Sequence, residues 1–262
     1  VSAATIVVVL CTVLGLLIGS FLNVVIWRVP RGESVVAPPS HCPGCDTPIA
    51  PRDNVPVLSW LVLRGRCRHC DTPIGARYPA VELLTAAMFA LVSARYSDDA
   101  ALPAFLSLVA VGVALAAIDL DTHRLPDVLT LPSYPVVGLL LSAAALADGS
   151  TERLARAALA GLVLYGAFFV LCIATKGRGM GFGDVKLVGV LGLVLGWLGW
   201  REVLVGVFAA FLLGSLVGLG LIAAGRAGRR TRLPFGPFLV AGTLLALLQG
   251  AEVARAWLGP PV

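Results

Sequence analysis

The sequence predicts an all-α polytopic membrane protein: about eight transmembrane helices with one small zinc-binding loop domain on the cytoplasmic side. Three observations predict it. Only 13% of the 262 residues are charged and 58% are hydrophobic, whereas soluble domains carry about 25% charged residues. Apolar stretches approaching the roughly 20 residues that a span requires recur along the chain. Finally, four of the six cysteines gather in the one long polar stretch.

The spans fall at 3–27, 79–96, 101–118, 127–147, 154–174, 185–199, 203–224 and 236–257, the sixth being the shortest. Such segments must be helical, because lipid offers the backbone no hydrogen-bond partners. The 29 glycines and many alanines suit close helix packing. No basic n-region precedes the first apolar stretch, so it reads as a permanent span and not a cleaved signal.

The charges set the orientation. With the N-terminus outside, the inside loops 28–78, 119–126, 175–186 and 225–235 hold all Lys and Arg except Arg95, Arg153, Arg156, Arg201 and Arg255. Basic residues mark the cytoplasmic side, which supports an even number of spans. The net charge of +5 is thereby accounted for without nucleic acid; lipid is the expected surrounding. Three regions result: a first transmembrane helix (1–29), a cytoplasmic four-cysteine domain (30–78) and a transmembrane region (79–262) that carries the acidic motifs considered below.

Region 30–78 is too small to fold on hydrophobic burial alone. Cys42-Pro43-Gly44-Cys45 and Cys67-Arg68-His69-Cys70 supply a staple. The two units repeat: Cys45-Asp46-Thr47-Pro48-Ile49 recurs as Cys70-Asp71-Thr72-Pro73-Ile74. Two C-x-x-C knuckles, each giving two sulfurs, build a tetrahedral structural Zn2+ site. Reduced cytoplasmic thiols favour metal over disulfides. Redox chemistry is the competing reading, but no thioredoxin-like βαβ pattern surrounds the cysteines. His41 and His69 adjoin the cysteines, either as exposed loop residues or as a replacement ligand. Cys11 and Cys172 lie within spans as small apolar side chains.

Two acidic positions stand out. In Asp119-Leu120-Asp121-Thr122-His123-Arg124-Leu125-Pro126-Asp127, Asp127 suits a helix N-terminus and Asp121 a solvated loop. Asp119 sits at a helix C-terminus, the unfavourable end for an anion. The second is Gly179-Met180-Gly181-Phe182-Gly183-Asp184-Val185-Lys186, where alternate glycines permit positive φ and close approach. A dinucleotide loop fails here, because no strand precedes and G-x-G-x-x-G is absent. A flexible turn with Asp184 as its N-cap is the plain alternative. Topology puts Asp119 and Asp184 on one membrane face. Two carboxylates held close do not both ionise easily; one keeps a proton while the other acts as base. Such a pair activates water for peptide hydrolysis.

The chain resembles the prepilin peptidases, the type IV leader peptidases, through motifs in order. These are Gly19-Ser20-Phe21-Leu22-Asn23-Val24-Val25 with Arg28 and Pro30, His41-Cys42-Pro43 with Cys45, and Asn54-Val55-Pro56-Val57-Leu58-Ser59-Trp60. Then come Arg64-Gly65 with Cys67, Tyr78-Pro79 with Glu82, Asp119 with Leu125-Pro126-Asp127, Gly181 to Lys186, and Pro234-Phe235-Gly236-Pro237. The resemblance implies an aspartic endopeptidase of the bacterial inner (plasma) membrane. It would remove the leader of type IV prepilins and pseudopilins (substrates of pilus and type II secretion assembly) at the cytoplasmic face, after a glycine. Asp119 and Asp184 match the catalytic pair; Gly181, Gly183, Lys186 and Glu82 match supporting positions. The four-cysteine loop matches the bifunctional branch, which N-methylates the new terminus with S-adenosylmethionine; no residue is assigned to that donor. The alternatives are another G-x-G-D intramembrane aspartyl protease and, without catalysis, a transporter or zinc-linked scaffold.

Overall fold

The structure is a computed structural model that describes residues 2–177, 180–226, 228 and 233–258, the last eight by backbone alone. Outside the cysteine loop it is built of helices, nine α-helices among the described residues: α1 (Ala3–Arg28), α2 (Leu58–Val62), α3 (Arg77–Arg95), α4 (Leu102–Thr122), α5 (Asp127–Asp148), α6 (Thr151–Ala174), α7 (Phe182–Leu198), α8 (Trp200–Ala223) and α9 (Gly236–Leu258). A long helix stands at each of the eight expected positions. Five of these (α1, α4, α5, α6 and α8) are long and apolar enough to cross a membrane by length and composition, which makes this a multi-pass membrane protein. The ends run past the apolar limits: α6 begins at Thr151, α7 at Phe182 and α8 at Trp200. An apolarity criterion trims a polar first turn that the backbone still winds, and Glu152, Asp184 and Glu202 suit that turn.

Two compact units divide the chain, 1–97 and 98–262. In the first, α1 and α3 pack antiparallel through Gly15 and Gly19, a small-xxx-small pair. A Cβ on Gly15 would lie 2.8 Å from the Ala86 Cα, and one on Gly19 would lie 2.7 Å from the Glu82 Cα. Only glycine lets the two backbones come so near. Asn23 Nδ2 donates to the Tyr78 carbonyl at 3.1 Å near the end of the seam. The cysteine loop and α2 connect these two helices.

In the second unit α7 is the central helix. It packs against α4, α5, α6, α8 and α9, and its side chains from Asp184 to Trp197 are almost all buried. Its 17 residues are shielded by protein, so a short apolar length suffices. Glycines again set the spacing: a Cβ on Gly192 would lie 2.9 Å from the Gly161 Cα of α6, and one on Gly242 would lie 2.5 Å from the Gly206 carbonyl. Arg156 of α6 closes the far end of α7, donating to the carbonyls of Gly196 at 2.7 Å and Trp197 at 2.8 Å. That is the favourable end for a cation.

Candidate active site

Asp119 lies in the last turn of α4, which continues to Thr122 and ends on His123 in the left-handed region (φ 54). The helix therefore runs four residues beyond the apolar limit at 118, and Asp121 stands on helix, not in a loop. Helical phase separates the neighbours: Ile118 and Asp119 point inward, Leu120 and Asp121 outward. Asp119 is only 5% exposed. Its place at a helix C-terminus is offset from elsewhere. Gly236, the first residue of α9, donates its N–H to Asp119 Oδ2 at 2.9 Å. A second helix thus presents its N-terminus, where an anion is favoured.

Asp184 sits in the first turn of α7 and is 8% exposed. It is the third helical residue, not the N-cap: Gly181 caps the helix and donates its N–H to Asp184 Oδ2 at 3.0 Å. The glycines beside it do not take positive φ; Gly181 has φ −76 and Gly183 is helical. Close approach is what they permit. A Cβ on Gly183 would lie 3.0 Å from the Leu125 Cβ. Gly179 and Arg178, like Arg229, Arg230 and Arg232, lie outside the described residues.

Leu125 joins the two halves. It rests against Gly183 on one side and, through its Cδ2, lies 3.2 Å from where a Cβ on Gly236 would stand. The N-termini of α7 and α9 are thereby gathered beside the end of α4. Asp119 and Asp184 stand at these gathered helix ends. Each has a backbone N–H on one oxygen, and such anchoring holds a carboxylate in a fixed orientation.

A clamp from α5 holds the first turn of α7. Lys186 Nζ reaches both oxygens of Asp127, at 2.7 and 2.8 Å, and lies 4.8 Å from the Phe182 ring centre. Tyr134 Oη donates to the Lys186 carbonyl at 2.6 Å. Asp127 begins α5, as its dipole preference suggests, and is also an ion-pair partner.

In the first unit the sequence repeat is a structural repeat. Cys42 N–H bonds the Thr47 carbonyl and Cys67 N–H the Thr72 carbonyl; Asp46 and Asp71 both take positive φ. Gly44 N–H points to Cys42 Sγ and His69 N–H to Cys67 Sγ. The four Sγ atoms lie within 4.8 Å of one another, with Cys42 and Cys70 3.6 Å apart. A Zn–S bond of about 2.3 Å in a tetrahedron requires sulfurs about 3.8 Å apart, so the cluster fits zinc. The backbone N–H of His69 first, and that of Cys70, lower the Cys67 thiol; the Thr72 hydroxyl does most to lower Cys70. Gly44 N–H favours the Cys42 thiolate, but burial and the neighbouring Cys67 and Cys70 outweigh it and push Cys42 up to about 11. A bound cation would reverse that last effect.

Residues 106–219 match the type IV leader peptidase family, and residues 13–96 match the bacterial peptidase A24 N-terminal domain. The prepilin leader peptidase/N-methyltransferase of Aeromonas hydrophila is 39% identical, over 93% of this chain and 91% of its own. This chain belongs to the type IV leader peptidase family. The enzymes of the same name from Pseudomonas aeruginosa and Neisseria gonorrhoeae are 35% and 37% identical, over 95% and 97% of this chain and 93% and 95% of their own. No solved structure matches.

The second unit holds Asp119 at the end of α4 and Asp184, Gly181 and Gly183 at the start of α7, while Lys186 is turned to Asp127. Glu82 belongs to the first unit. Buried on α3, it accepts the Val57 N–H at 2.7 Å. Val57 is a strained γ-turn: φ is 61, and Leu58 N–H bonds the Pro56 carbonyl at 2.6 Å. Residue-by-residue reading missed Gly236. Its signal was the run Pro234-Phe235-Gly236-Pro237, a proline-punctuated glycine at a helix start.

Proposed function

We propose that this protein removes the leader peptide of type IV prepilins and pseudopilins by a catalytic aspartate pair, Asp119 and Asp184, cutting after a glycine. The observation that carries the reading is the pair itself. Two buried carboxylates stand at the ends of separate helices that meet around Leu125, each held by one backbone N–H. One carboxylate, unprotonated, takes a proton from a water as that water attacks the scissile carbonyl. The other, protonated, gives its proton to the carbonyl oxygen. The resulting diol collapses: the C–N bond breaks, the amine leaves with a proton from the pair, and a carboxylic acid remains. No covalent intermediate with the protein is needed.

Basic-residue bias supports an N-terminus outside the bacterial inner membrane and an active site on the cytoplasmic face, with the cysteine loop on that same side. The four cysteines would hold a closed, structural zinc that stabilises the loop. The bifunctional relatives support a second activity, N-methylation of the new N-terminus, for which S-adenosylmethionine supplies the methyl group.

The test is reconstitution. Purified protein in vesicles should cut an added prepilin after the leader glycine. The product should gain one N-terminal methyl group only when S-adenosylmethionine is present, as read by mass spectrometry. An intact prepilin after prolonged incubation would defeat the proposal.

A further inference from the structure

Two runs that carry the family resemblance hold no cysteine: Gly19–Val25 with Arg28, and Asn54–Trp60. They meet in the first unit. The later turns of α1 and the loop segments 35–40 and 54–56 line a partly open cleft of about 360 Å³, within the range of small-molecule sites. Ser20, Phe21, Val24 and Arg28 line it from α1, and Asn54 and Pro56 from the loop.

Arg28 is the one charged residue on its wall and is 8% exposed. Nη1 donates to the Ser34 carbonyl at 2.9 Å and Nη2 to the Pro38 carbonyl at 2.7 Å. A guanidinium has five N–H donors, so three remain. No carboxylate pairs with it among the described residues. A buried cation without a counter-ion is costly, and a guanidinium fork matches a carboxylate. The rest of the wall is of another kind. Phe21 offers a ring of the sort on which a purine stacks, Val24 and Pro56 are apolar, and Ser20 and Asn54 can bond hydroxyl or amino groups. The Asn54–Pro56 wall is fixed from behind: Glu82 holds the Val57 N–H, and Ser59 Oγ accepts the Val55 N–H at 2.8 Å and donates to the Arg52 carbonyl at 3.0 Å.

The ligand that fits carries a carboxylate at one end and an aromatic, hydroxyl-bearing body. We propose that this cleft is the methyl-donor site, with the carboxylate of S-adenosylmethionine on Arg28 and its nucleoside toward Phe21, Ser20 and Asn54. The assignment rests on the methyltransferase reading and gives Glu82 a positioning role for the donor.

The experiment is calorimetric titration of the full-length protein in nanodiscs with S-adenosylhomocysteine, which keeps the carboxylate and the nucleoside. Wild type binds it stoichiometrically. Arg28→Gln weakens binding by roughly tenfold or more, and Ser20→Trp, which fills the cleft, removes it; retained zinc shows that each variant's first unit is folded. Light-driven cross-linking of labelled S-adenosylmethionine to wild type needs no variant and should mark peptides containing residues 20–28 or 54–56. A cross-link elsewhere, with both variants binding normally, overturns the site and leaves methylation standing. A phospholipid that co-purifies through Arg28 and is not displaced by S-adenosylhomocysteine also overturns it. Wild type that neither binds the compound nor methylates a cleaved prepilin defeats the methyltransferase reading itself.

Discussion

Gly236→Ala should disable the peptidase without unfolding it. The new Cβ would lie 2.8 Å from Asp119 Oδ2 and 3.2 Å from Leu125 Cδ2. A carbon and an oxygen need roughly 3.2 Å or more, so the carboxylate must retreat by about 0.4 Å or rotate. Either movement strains the 2.9 Å bond from the Gly236 N–H. Hydrogen bonds to charged groups contribute about 1.5–3 kcal/mol, and misplacement by about 1 Å costs about a hundredfold in rate. A fall in kcat of about 10- to 100-fold follows, with KM little changed because the methyl obstructs the carboxylate and not the substrate. Cleavage of purified prepilin by vesicle-embedded protein measures both constants. Gly138→Ala in α5 is the control: a Cβ there meets nothing within 4 Å, and replacing a helical glycine stabilises by about 0.5–1 kcal/mol. Full activity of Gly236→Ala would refute the claim that this N–H orients Asp119.

Other consequences are as definite. A methyl on Gly189 would overlap the Tyr134 hydroxyl, so Gly189→Ala should force α5 from α7 and destabilise the second unit by about 1–3 kcal/mol, read by thermal unfolding in detergent. Tyr134→Phe removes only the bond to the Lys186 carbonyl and should cost about 0.5–1.5 kcal/mol; a larger loss from the Phe variant than from the Ala variant would contradict this ordering. The Lys186–Asp127 pair is partly exposed, so a double-mutant cycle should return less than about 1 kcal/mol. Purified protein should contain about one zinc per chain, lost on changing Cys42 and Cys45 to Ser; a disulfide and no metal would refute the assignment.

Lipid made the helices legible. A segment with no outside hydrogen-bond partners has one regular solution, so the apolar runs located all eight long helices. They misplaced the polar first turns of α6, α7 and α8, because winding continues where apolarity stops. The cysteine repeat was legible because its two copies are local, each knuckle closing on its own backbone. Asp119 could be preferred over Asp121 from helix-end electrostatics, and burial agrees. What offsets that unfavourable position was not legible: the N–H comes from Gly236, 117 residues away. The same holds for Leu125 against Gly183 and for Glu82 on the Val57 turn. Such contacts depend on which helices become neighbours, and local spacing carries no record of that.

The central claim is that Asp119 and Asp184 work as a pair. Prepilin cleavage by Asp119→Asn and Asp184→Asn, measured separately in membranes with equal protein levels, tests it most directly. Asparagine keeps the shape and can still accept the Gly236 or Gly181 N–H, but it cannot take up a proton as a base. Each single variant should leave the prepilin uncut. Normal cleavage by either one would contradict the account.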